Sequence, residues 1–164
     1  MEWKQGIEDI AKAIVDAGIP VMGHVGLTPQ TAAAEGFGLR GKDAASAARI
    51  FAQAIALEEV GCFAMVLECI PDVLAQDITQ RLAIPTIGIG SGPWCDGQVL
   101  VTNDLLGLYD RFTPTFVKRY AEVGAIIRDA AAAYIRDVKA GTFPGREHTR
   151  TMSPEELAKF RHAA

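Results

Sequence analysis

The sequence contains no apolar run approaching the ~18 residues that a bilayer-crossing helix requires, which argues against a helical membrane span. It also lacks the basic-then-apolar opening of a secretion signal: the first ten residues read MEWKQGIEDI. Basic excess is missing too. The net charge of −4 offers no electrostatic footprint for nucleic acid or for an anionic membrane. Cysteine is scarce: Cys62, Cys69 and Cys95 are odd in number and show no CxxC spacing, which argues against a disulfide framework. Buried, reduced thiols in a cytoplasmic protein are expected instead. The three histidines, 24, 148 and 162, are too scattered to form a metal cluster among themselves.

With 49% hydrophobic and 22% charged residues, the chain is expected to pack a core as one domain over residues 1–164. Four apolar runs alternate with helical patterns. The runs are Ile19–Val25, Cys62–Glu68, Ile84–Ile89 and Gln98–Val101. An opening helix is marked by Ile7, Ile10, Ile14 and Ala17. A second is expected from Asp43 to Val60, with Ile50, Ala54 and Leu57 on one face and Gly61 as its stop. Pro71 suits the first turn of a third, striped by Leu74, Ile78 and Leu82. A short helix is expected near Asn103–Leu106. A long one is expected from about Pro114 to Lys139, with Phe116, Tyr120, Val123, Ile127, Ala131, Tyr134 and Val138 at helical spacing. Ser153-Pro154-Glu155-Glu156 reads as a capping box for a last helix. The segments between the runs, TPQTAAAEGFGLRG and GSGPWCDG, read as loops.

Strands alternating with helices imply right-handed parallel crossovers, either in an open doubly wound sheet or in part of a (β/α)8 barrel. No GxGxxG follows the first strand, which weakens a dinucleotide reading. A complete barrel needs ~250 residues, so this length holds about half of one.

In both architectures ligands gather at the C-terminal ends of the strands. The first run ends in Gly23-His24-Val25-Gly26, which places an imidazole there. The second, AMVLECIP, ends in a carboxylate, Glu68. An acid at the end of an apolar strand must be paired, raised in pKa or used, and a general base is the functional reading. The third run ends in a glycine-rich loop that lets a ligand approach the backbone. Asp96 and Asp104 read as turn or cap residues.

The motifs GIPVMGHVGLTPQ (18–30), VLECIP (66–71), IPTIGIGSGPWCDGQVLVTNDLLGL (84–108), FVKRYAEVG (116–124) and GTFPGREHT (141–149) resemble ketopantoate hydroxymethyltransferases across nearly the whole chain. The resemblance implies a (β/α)8 barrel of which this chain holds the last four βα units and the C-terminal helices. It implies hydroxymethyl transfer from 5,10-methylenetetrahydrofolate to 3-methyl-2-oxobutanoate, with Mg2+ stabilising the enolate, in a homo-oligomer. Its general base would be Glu68, and His24 would line the substrate pocket. Glu2, 22 residues before His24, falls where the family places a metal-positioning Glu. Trp3-Lys4 replace the glycine pair of that family motif, and its lysine would precede Met1. The family's metal-binding aspartates would also lie upstream, so the chain is expected to be inactive alone. The rival expectation is a non-catalytic scaffold or partner subunit derived from such an enzyme.

Overall fold

A computed structural model of the 164-residue chain describes residues 1–30, 32, 36–109 and 112–163. Helix α1 (Ile7–Asp16) leads into β1 (Met22–Gly26), α2 (Ala44–Glu59), β2 (Ala64–Glu68), α3 (Asp72–Arg81) and β3 (Thr86–Ile89). Then come β4 (Gly97–Gln98), the short α4 (Thr102–Leu105), the long α5 (Val123–Ala140), a 3-10 turn at Arg146–His148, and α6 (Pro154–Ala163). The strands form one sheet in the order β1-β2-β3-β4, and every pair is parallel. This is an α/β fold with a parallel sheet, as expected of part of a (β/α)8 barrel. Of the loop expected after the first run, positions 31 and 33–35 lie outside the described residues.

Strand alternation splits the sheet into two unlike faces. Val25, Met65 and Leu67 point toward the helices and pack with Ile50, Ala54 and Leu57 of α2 and Leu74, Ala75 and Ile78 of α3. The opposite face carries His24, Val66, Glu68 and Ile87, all half-buried. The run around Val66 therefore has only one face under helices.

Local chemistry sets the helix ends. Asp43 caps α2: its Oδ1 accepts from Ser46 N at 2.9 Å, and Ser46 Oγ returns toward Asp43 N at 3.3 Å. Pro71 stands at the N-cap of α3, one residue outside its expected place in the first turn. Ser153 Oγ accepts from Glu156 N at 3.3 Å at the start of α6. In α1 the buried residues are Ile7 and Ala11, while Ile10 is exposed, so the core-facing stripe is rotated from the expected one.

The long C-terminal helix begins at Val123, not near Pro114. Tyr120, Val123 and Gly124 spend their N–H groups on the end of α4 and the two residues after it. Tyr120 N donates to Leu105 O at 2.9 Å, Val123 N to Leu106 O at 2.9 Å and Gly124 N to Gly107 O at 3.2 Å. Backbone groups already satisfied by a neighbouring segment have no need of their own helical turn. Phe116 meanwhile lies over Gly90, whose missing Cβ would stand 2.7 Å from the ring.

Candidate active site

The three residues singled out from the sequence share one face of the sheet. Glu68 is the last residue of β2, in register with Gly26 and Ile89. His24 lies on the same face of β1, opposite Val66. Glu2 forms a parallel bridge with His24, fixed by Trp3 N donating to His24 O at 2.9 Å. The terminal ammonium of Met1 donates to Met22 O at 2.6 Å, so residues 1–3 lie along β1 as a strand stub. Glu2 is therefore tethered, and its Oε2 also accepts from Gln30 N at 3.2 Å.

His24 and Glu68 meet directly, with Nε2 3.1 Å from Oε2 and both side chains about 15% exposed (14% and 16%). The contact is at ion-pair distance, yet the carboxylate is out of line with the ring N–H. Nε2 is thus buried without a hydrogen-bond partner among the described residues. An unsatisfied buried nitrogen costs free energy unless a ligand or a small rotation completes it.

The backbone beneath Glu68 is held from three sides. Leu27 N donates to Glu68 O at 2.8 Å, Arg40 N to Cys69 O at 2.8 Å, and Cys69 N to Ile89 O at 2.9 Å. Cys69 takes a left-handed conformation, φ 50°, which turns the chain sharply after the carboxylate. Its thiol is pushed up by burial and, secondly, by the Glu68 charge, which disfavours a nucleophilic thiolate there. Gly26, at φ 97°, passes so close that a Cβ would stand 2.2 Å from Glu68 O. Buried Ser91 donates its hydroxyl to Leu67 O at 2.7 Å, joining the ends of β2 and β3. Sequence reading missed Ser91, because a serine between glycines looks like any loop serine.

Asp96 does structural work, in keeping with its reading as a turn residue. Its Oδ2 accepts from Thr86 N at 2.8 Å and from Thr86 Oγ1 at 3.1 Å, which holds its carboxyl below the usual range. That clamp fastens the start of β3 to the glycine-rich loop. Among the described residues no three His, Cys, Asp or Glu side chains converge as a metal shell. None of the described helices is long and apolar enough to cross a membrane.

The sequence that builds this parallel sheet, with its meeting carboxylate and imidazole, matches a known family. The family model described as ketopantoate hydroxymethyltransferase matches residues 1–146, and the chain belongs to that family. It is 56% identical over 154 residues to the 3-methyl-2-oxobutanoate hydroxymethyltransferase of Desulfotalea psychrophila, covering 93% of this chain and 55% of that protein. The enzyme of the same name from Heliobacterium modesticaldum is 57% identical over 145 residues, covering 88% of this chain and 52% of the relative. That from Nitratidesulfovibrio vulgaris is 55% identical over 150 residues, covering 91% and 49%. The chain spans about half the length of the curated relatives it matches.

Proposed function

We propose that these residues form the proton-transfer part of a ketopantoate hydroxymethyltransferase active site. The reaction joins the one-carbon unit of 5,10-methylenetetrahydrofolate to 3-methyl-2-oxobutanoate, with water supplying the hydroxyl oxygen and tetrahydrofolate leaving, to give 2-dehydropantoate for pantothenate synthesis. Glu68 is the general base that takes the proton from C3 of the substrate, leaving an enolate whose C3 attacks the one-carbon unit. The observation that carries this reading is the half-buried His24–Glu68 pair, 3.1 Å apart on the face away from the helices. A base needs an ionised carboxylate within reach of a bound substrate, and positioned proton transfer is worth ~10²–10⁴ in rate. His24, with its Nε2 unsatisfied, offers a hydrogen bond to a substrate oxygen.

Family resemblance points to Mg2+ near Glu2. One tethered carboxylate does not make the near-octahedral oxygen shell that Mg2+ demands; the roles assigned to this chain are proton abstraction by Glu68 and a hydrogen bond from His24. The same consideration leads us to propose that residues 1–164 are inactive by themselves. The complete assembly is a homo-oligomer, a reading supported by the apolar side chains of α5, of which Ile126, Ile127, Tyr134 and Ile135 are all more than half exposed.

The test is to co-express residues 1–164 with the N-terminal half of a family enzyme and assay ketopantoate formation. Product only in the combined sample supports the reading. If that N-terminal half is active with its own C-terminal half but never with this chain, the reading fails.

A further inference from the structure

Between the chain leading into α1 and the first half of α2 lies a cavity of about 660 Å3, within the ~300–1,000 Å3 range of small-molecule sites. Its described walls carry four cationic side chains, Lys4, Arg40, Lys42 and Arg49, against one acid, Asp43. Arg40 is engaged elsewhere, its Nη2 donating to Gly36 O at 2.9 Å, so the other three cations less one carboxylate leave +2 on the described walls, on a chain whose net charge is −4.

The acid does not neutralise its neighbours. Its two oxygens accept from Ser46 N at 2.9 Å and Ser46 Oγ at 2.6 Å, so it is committed to capping α2. Lys4 and Lys42 have no ion-pair partner among the described residues. Arg49 acts on Asp43 only as the weakest of the causes that hold that carboxyl down. Converging cations repel one another, and a bound anion offsets that cost while gaining charge-assisted hydrogen bonds. His24 and Glu68 do not line the cavity, which is distinct from the residues of the proposed proton transfer.

We propose that this cavity binds a small multivalent anion, bearing phosphates or carboxylates, with Lys4, Lys42 and Arg49 as its charge contacts. Trp3 on the cavity wall supplies the probe. The chain has two tryptophans, so Trp94→Phe leaves Trp3 as the sole indole fluorophore. Fluorescence of this full-length variant would be titrated with inorganic tripolyphosphate and with citrate, each against sodium chloride of matched ionic strength. A saturable change with either anion is expected, and the tighter of the two identifies the source of charge. Adding Lys42→Glu and Arg49→Glu should weaken the tighter binding at least about tenfold, while Arg81→Glu, outside the cavity, should change it less than about twofold. Lys42, Arg49 and Arg81 are exposed, so the fold should survive, and far-UV circular dichroism checks that it does. No saturable change beyond the salt control would overturn the proposal. So would equal weakening by Arg81→Glu, which would reveal nonspecific attraction.

Discussion

Glu68 and its surroundings respond to substitution in ways that separate chemistry from folding. Gly26 packs against the Glu68 carbonyl at a positive φ, so Gly26→Ala meets both a backbone clash and a strained conformation. It should destabilise the chain by ~1–3 kcal/mol, read as a lowered Tm, and should displace the carboxylate as well. A Tm equal to the parent's would mean the strand ends separate without cost. In a complemented enzyme, His24→Asn should raise KM or lower kcat while Mg2+ affinity stays unchanged. A large loss of Mg2+ affinity would make His24 a metal ligand instead. The cysteines offer a third check at this scale. Burial pushes the Cys62, Cys69 and Cys95 thiols above their ordinary range. Alkylation by iodoacetamide at neutral pH should therefore be slower than for a free exposed thiol, and rapid labelling of the folded chain would contradict the packing.

At the scale of elements, sequence pattern was most informative where helices pack and least where loops do. In α2 the expected stripe, Ile50, Ala54 and Leu57, is the buried one, and Asp43, where the helix was expected to begin, is its N-cap. Leu57 is fully buried under the sheet, so Leu57→Ala should cost ~2–5 kcal/mol in denaturant unfolding. The Asp43 carboxyl is held below its ordinary range by its bonds to Ser46. Its contribution is therefore fully present above the ordinary carboxylate range and is lost as pH falls through the lowered folded value. Asp43→Ala should lower Tm at neutral pH and flatten the acid side of the stability profile. An unchanged profile would show the cap to be idle. Glu68 at a strand end, and His24 on the same edge, were legible because an ionisable group in an apolar run stands out. The start of α5 was not, since Phe116 and Tyr120 continue its helical spacing. The hydrogen bonds that divert Tyr120, Val123 and Gly124 to the end of α4 and the two residues after it come from a segment that periodicity cannot see. The tether on Glu2 was equally hidden, because bridges between backbone segments carry no residue signature.

For the molecule as a whole, one sheet face is under helices and the other presents Glu68 and His24 with only partial cover, while α5 buries only Gly124. Such apolar surface favours association, and sedimentation of residues 1–164 should show species larger than a monomer. A monomer at micromolar concentration would remove the support that α5 lends to a homo-oligomer. The central claim is that Glu68 is the base. It is tested most directly by deuterium exchange at C3 of 3-methyl-2-oxobutanoate, using residues 1–164 complemented by the N-terminal half of a family enzyme. Glu68→Gln is nearly isosteric and keeps the fold, so exchange should fall by ~10²–10⁴ relative to the complemented parent. An exchange rate within about threefold of the parent would be too small a loss for a positioned base and would contradict the account.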